Sequence, residues 1–179
     1  VTRVVTDSRV AGPGALFAAL QGEHRDGHEF AAAAAEAGAF VLVETGRLPA
    51  GASGVEVADP LEALRAMAEH HRRELTMPVA AITGSNGKTT TKDLLAAALG
   101  PGAHKSPRSF NNEIGVPLTI LGVPAGATAV VAEVGSRGLG RIALLAPCLR
   151  PDVAVITNIA RAHLETFGDE ETIVEAKWE

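Results

Sequence analysis

The chain has 179 residues, an apolar share of 46%, a formal net charge of −5 and a single cysteine, Cys148. That length holds one large domain or two small ones, and the acidic balance gives no general attraction for nucleic acid. One cysteine excludes an intrachain disulfide, no apolar run reaches membrane-spanning length, and Val1 to Asp7 lacks the layout of a signal peptide. The expectation is a cytoplasmic protein with no nucleic-acid partner and no membrane insertion.

Taken in chain order, Leu16 to Leu20 reads as a strand, Glu29 to Ala37 as an alanine-rich helix ended by Gly38, and Phe40 to Val43 as a second strand. Pro60 opens a helix running to about Leu75, with Leu61, Leu64, Met67, Ala68, His71 and Leu75 on one stripe. Thr76-Met77-Pro78 breaks that helix, so the expected domains are 1–76 and 77–179. Val79 to Ile82 reads as a buried strand and Lys92 to Leu99 as a helix closed by Gly100 and Pro101. Phe110 to Pro117 reads as a loop, Ala129 to Val134 as a strand, and Ile142 to Leu149 as a helix stopping before Pro151. Asp152 to Thr157 is another apolar strand, and Glu170 to Glu179 a helix without a capping signal, so both chain ends read as truncations. Strands apolar throughout, separated by helices, predict an α/β fold with parallel sheets covered on both faces.

The stretch with the clearest chemistry is Ile82-Thr83-Gly84-Ser85-Asn86-Gly87-Lys88-Thr89-Thr90. A strand, a Gly-rich turn, Gly-Lys-Thr and a helix form the layout of a phosphate cradle. Backbone N–H groups face phosphate oxygens, the lysine sits on the β/γ oxygens and a hydroxyl holds Mg²⁺. Ile82 stands where the first glycine of G-x-x-x-x-G-K-[ST] belongs, so the match is imperfect.

Other residues gain meaning from that loop. Glu133 ends an apolar strand, where open α/β sheets gather ligands, and reads as a Mg²⁺ ligand in preference to a solvent-facing acid. His163 lies beyond a second strand end, with ligand and ordinary side chain both open. Asn111 and Asn112 on spacing alone read as an Asn-rich turn, although their amides could orient a phosphate or carboxylate. Lys177 reads as part of a solvated helix face. Arg9 and Arg25 sit in polar clusters that fit either a diphosphate site or plain turns.

Together these motifs resemble the ATP-dependent Mur ligases of peptidoglycan synthesis. The resemblance rests on Thr6-Asp7-Ser8-Arg9, Asp26-Gly27-His28, Thr83 to Thr90, Asn111 to Pro117, Glu133-Val134-Gly135, Thr157-Asn158, Ala162-His163-Leu164-Glu165 and Glu175-Ala176-Lys177. Asn-Asn-Glu-Ile-Gly-Val-Pro and Ala-His-Leu-Glu-x-Phe-Gly point to the MurF type, which joins D-Ala-D-Ala to UDP-MurNAc-tripeptide. The MurE type, which adds a diamino acid, shares the Asp-Ser-Arg and Asp-Gly-His motifs but is less similar around Asn111. A third reading is a nucleotide-binding module without catalysis of its own.

The resemblance implies a small N-terminal α/β domain for the UDP-sugar, a P-loop parallel-sheet domain for ATP, present in part, and a C-terminal Rossmann-like domain that is absent. A fragment of this extent is expected to be inactive alone, and monomeric. By the same resemblance Gly84, Ser85, Asn86, Gly87, Lys88, Thr89 and Thr90 cradle the ATP phosphates, and Ser8, Arg9, Asn111 and Asn112 meet substrate. The implied catalytic set is Lys88, Glu133, His163 and Lys177, with two Mg²⁺ ions held by Thr89, Glu133, His163 and a carbamylated Lys177. The implied reaction runs through an acyl phosphate that the amine of D-Ala-D-Ala attacks.

Overall fold

The computed structural model describes residues 1–22, 24–136, 138–160 and 169–179. The chain divides into two compact units, Val1–Met67 and Ala68–Glu179, and each carries its own four-stranded, all-parallel sheet. The α/β class follows from the strand–helix alternation, as the apolar runs predict.

In the first unit β1 (Arg3–Val5), β2 (Ala15–Ala18), β3 (Phe40–Glu44) and β4 (Gly54–Val57) lie in sequential order. Side chains alternate across the pleat. Phe17, Val41 and Val43 pack on α1 (Ala31–Glu36), whereas Leu16, Ala18 and Leu42 pack with Ala63 and Met67 of α2 (Pro60–Glu74). The helix expected from Glu29 starts as a 3-10 turn, Gly27–Phe30, which Asp26 caps by accepting from the His28 N–H. Asp26 also takes the His28 ring Nδ1 at 2.7 Å and Arg47 at 2.6 Å, and these bonds, the backbone one foremost, hold its carboxyl down at about 2. His28 Nε2 accepts from the Glu44 N–H at 3.0 Å, which puts the ring proton on Nδ1. β1 and β4 were not anticipated. β1 is three residues long, and β4 is partly exposed along its length, so neither carries a full apolar pattern.

The second unit runs β5 (Val79–Thr83), α3 (Lys88–Leu99), β6 (Ala103–Lys105), α4 (Gly115–Leu121), β7 (Ala129–Glu133), α5 (Arg141–Leu149), β8 (Val153–Ile156) and α6 (Glu170–Trp178). Its sheet order is β6-β7-β5-β8. Val79, Val130 and Ala132 face Val116, Ile120, Leu145 and Leu149, while Ile82 and Val131 face Ala96 on the other side. Two expectations need correction. α3 begins at Lys88, directly after the turn, instead of at Lys92. Residues 115–117, read as loop, open α4; Pro117 lies in its first turn, where the missing N–H has no helical partner to lose.

Arg72 clamps this unit. Only 8% exposed, it donates to the carbonyls of Leu149 (2.6 Å) and Arg150 (2.9 Å) at the end of α5, to Leu75 O (3.0 Å) and to Asp152 (3.2 Å). Asp152 in turn accepts from the Val79 N–H at 2.8 Å, tying β5 to the start of β8. No helix among the described residues is long and apolar enough to cross a membrane.

Replacing Arg72 with Met keeps the aliphatic stem but leaves buried carbonyls unpaired, at about 1–3 kcal/mol for each such group. Urea unfolding of the second unit should therefore shift to clearly lower denaturant. An unchanged midpoint would show that the clamp contributes nothing.

Candidate functional site

The site lies at the carboxyl edge of the second sheet. Register aligns Ile82 with Glu133 on one side and with Val155 on the other, so β5, β7 and β8 end together. Ligands of open α/β sheets collect at such an edge.

Between β5 and α3 the chain turns through Gly84 (φ +140°) and Gly87 (φ +80°), conformations that side chains with a Cβ rarely adopt. Gly87 caps α3, and the first N–H groups of that helix, at Lys88, Thr89 and Thr90, have no intrahelical acceptor. They form a positive end suited to an anion. Lys88 folds back over the turn, its Nζ donating to Gly84 O at 2.7 Å and Ser85 O at 3.2 Å. The predicted cradle, Gly84 to Thr90, is thus one continuous turn and helix start.

Glu133, 1% exposed, sits beneath this turn. Its Oε2 accepts from Thr89 Oγ1 at 2.8 Å and its Oε1 from Asn111 Nδ2 at 2.7 Å. Lys92 Nζ stands 3.6 Å from Oε2 and donates to Arg108 O at 2.6 Å. The Glu133 N–H donates to the buried Ser106 Oγ at 3.0 Å. A buried carboxylate is costly unless it meets a cation and donors, and here it meets both. Three of the residues expected to matter, Thr89, Glu133 and Asn111, are therefore in direct contact. Lys92 was not anticipated. The available signal was its helical spacing between Lys88 and Ala96, which puts a lysine on the buried stripe of α3.

Lys177 is not on a solvated face: it is 6% exposed and lines a cavity of about 580 Å³ with Thr83, Ile142, Leu149 and Ile156. Burial first, and the charge of Lys88 second, push its amine below the ordinary lysine value, while Glu179 opposes them. Thr83 Oγ1, also on this cavity, is buried without a hydrogen-bond partner among the described residues. Glu179 anchors the end of α6 by accepting from the N–H groups of Gly140 (2.5 Å), Ile142 (3.0 Å) and Ala143 (3.1 Å) at the start of α5.

The remaining expected residues are placed differently. Asn112 Oδ1 accepts from the Gly115 N–H at 2.8 Å and so caps the start of α4. Ser8 and Arg9 belong to the first unit, where Arg9 is paired in a fork with Asp7, at 2.9 Å from Nε to Oδ1 and 2.6 Å from Nη2 to Oδ2. His163 lies outside the described residues.

Comparison with known proteins gives a consistent picture. The Mur ligase middle domain family matches residues 82–179, and the Mur ligase family catalytic domain matches residues 1–72. The UDP-N-acetylmuramoyl-tripeptide–D-alanyl-D-alanine ligase of Bacillus subtilis (strain 168) is 42% identical over 98% of this chain, which spans 40% of that relative. The enzyme of the same name from Escherichia coli (strain K12) is 37% identical over 98% of this chain, covering 39% of that relative. Among solved structures, MurF from Acinetobacter baumannii superposes with a TM-score of 0.90 at 36% identity, covering 98% of this chain and 39% of that one. MurF ligase from Thermotoga maritima in complex with ADP gives 0.87 at 34% identity, covering 98% and 42%. The chain thus spans about 40% of the length of the curated relatives it matches, and over that span it belongs to the Mur ligase family.

Proposed function

We propose that this chain carries the nucleotide-binding part of an ATP-dependent amide ligase that adds D-Ala-D-Ala to UDP-MurNAc-tripeptide. One observation carries the reading: a Gly-Lys-Thr turn at a helix N-terminus stands over a buried carboxylate, with Thr89 Oγ1 and Glu133 Oε2 2.8 Å apart. Hard oxygen donors of this kind suit Mg²⁺, and the helix start suits the phosphates. Support for the substrate pair comes from relatives of that name at 36–42% identity.

In this reading the first unit, Val1–Met67, holds the UDP-sugar, with Ser8 and Arg9 among the contacts, and the second, Ala68–Glu179, holds ATP. The N–H groups of Lys88, Thr89 and Thr90 bind phosphate oxygens, and Lys88 Nζ exchanges its carbonyl partners for the β/γ oxygens. Thr89 and Glu133 hold a first Mg²⁺; Lys92 and Asn111 keep the Glu133 carboxylate aimed. Bound there, Mg²⁺ neutralises the charge that develops as the γ-phosphoryl group passes to the substrate carboxylate, giving an acyl phosphate. The D-Ala-D-Ala amine then attacks the acyl carbon and phosphate leaves. Asn112, through its cap, fixes the start of α4 beside Asn111.

Lys177 is proposed as a carbamate that supports a second Mg²⁺ together with His163, the latter on the resemblance alone. Its depressed pKa favours the neutral amine, which is the form that adds CO₂ with loss of a proton. The lone cysteine is buried, in keeping with a cytoplasmic site of action.

Titration with Mg·ATP should show binding by the chain and at least tenfold weaker binding by Lys88→Ala; equal binding would contradict the cradle. Extended to the length of its relatives, the protein should ligate D-Ala-D-Ala, and activity with a diamino acid alone would make it a MurE-type enzyme. Equilibration with ¹³C-labelled bicarbonate should give a carbamate NMR signal that strengthens with rising pH and disappears in Lys177→Arg. A signal that survives that substitution would remove Lys177 from the metal site.

A further inference from the structure

The segment following β8 grips the phosphate turn through side chains to which the reading above gives no task. Asn158 Oδ1 accepts from the Asn86 N–H at 2.8 Å, and Asn158 O accepts from the Ser85 N–H at 3.0 Å. Thr157 Oγ1 lies 2.6 Å from Asn86 O and 3.2 Å from Thr83 O, both within its reach as a donor. Ser85 Oγ and the backbone of Ala160 complete the strap, with Oγ donating to Ala160 O and accepting from Ala160 N–H, each at 3.0 Å. Contact is so close that a Cβ on Gly84 would collide with Thr157 Oγ1.

We propose that Asn158, assisted by Thr157, is a positioning residue for the ATP phosphates, supplying the restraint that the standard motif draws from a longer turn. The physical reason begins at Ile82. It is fully buried within β5, so the strand continues to Thr83 and the turn is confined to Gly84–Gly87. A turn this short cannot curl all of its N–H groups onto one anion. Those of Ser85 and Asn86 point to the β8 side, where the Ser85 N–H meets the main-chain carbonyl of residue 158 and the Asn86 N–H has the Asn158 side chain as its protein acceptor. Asn158 satisfies them with carbonyl oxygens that carry no net charge. That leaves the N–H groups at the start of α3 and the Lys88 ammonium to face the phosphates. A carboxylate at position 158 would accept the same bond but set a negative charge beside those phosphates. The strap also keeps Gly84 O and Ser85 O directed at Lys88 Nζ, which parks the ammonium next to the site before nucleotide arrives.

This inference rests on the ATP reading above, and its test separates the two. Mg·ATP affinity and amide hydrogen exchange are measured on the chain and on Asn158→Leu, Asn158→Asp and Thr157→Val. Expected for Asn158→Leu is about tenfold weaker Mg·ATP binding, as for an orphaned amide. Protection at Asn86, whose acceptor is the side-chain oxygen, should be lost, while protection at Ser85, which donates to the Asn158 main-chain carbonyl, and in β7 is retained. Asn158→Asp should keep protection at Asn86 yet bind Mg·ATP more weakly than the unsubstituted chain, a split that a purely structural side chain would not produce. Wild-type affinity in Asn158→Leu, or in Asn158→Asp, overturns the proposal while leaving the ATP reading intact. Failure of the unsubstituted chain to bind Mg·ATP overturns both. If Asn158→Leu does not fold, Thr157→Val decides: several-fold weaker Mg·ATP binding with β7 still protected supports the strap, and unchanged affinity overturns it.

Discussion

A carboxylate almost wholly removed from water must be matched on every side, and Glu133 sets that demand for the second unit. Its two oxygens collect Thr89 from the first turn of α3, Asn111 from the segment before α4, and the Lys92 ammonium one helical turn further on. None of these partners can move without leaving charge or a donor unpaired in a low-dielectric setting, where the penalty is several times that at a surface. The acid therefore organises three chain segments at once. It does so at the edge where β5, β7 and β8 end, which is also where a phosphate would have to sit.

The surrounding fold makes this arrangement rigid. β5 lies between β7 and β8, so the turn leaving it is flanked by Glu133 on one side and by Thr157 and Asn158 on the other. Arg72 and Asp152 tie the opposite edge of the sheet to α2 and α5. Lys177 joins from a helix whose end is pinned by Glu179 onto the start of α5, bringing a depressed amine to a largely apolar cavity that also holds the Thr83 hydroxyl and Glu179. A second cation close to Lys88 is unfavourable in isolation. It becomes useful if CO₂ converts it to an anion.

Much of this was legible in the chain. The continuous apolar runs at 79–82, 129–134 and 152–157 identify buried parallel strands, since both faces must be covered, and Gly84, Gly87 and Lys88 identify the turn. The losses have physical causes. α4 was hidden because Pro117 reads as a break, although a first-turn position costs no hydrogen bond. Lys177 looked solvated because a nine-residue helix with mixed charge does not reveal its buried side. Lys92 carried only its spacing on the buried stripe of α3, and Asn158 only its place in a motif after a strand end; their tasks lie in contacts with Glu133 and with Asn86, distant in the chain. Ile82 looked like a defect in the motif and is instead a core residue of β5 that shortens the turn.

The central claim is that Glu133 is built to hold a metal ion under the phosphate turn, and the spin resonance of Mn²⁺ in the presence of ATP tests it most directly. Glu133→Gln keeps the shape and one acceptor but removes the charge. Mn²⁺ binding with ATP present should weaken at least tenfold in this variant, and its melting temperature should fall as well, because the buried Lys92 ammonium loses its counter-charge. Unaltered Mn²⁺ affinity in a folded Glu133→Gln protein would contradict the claim.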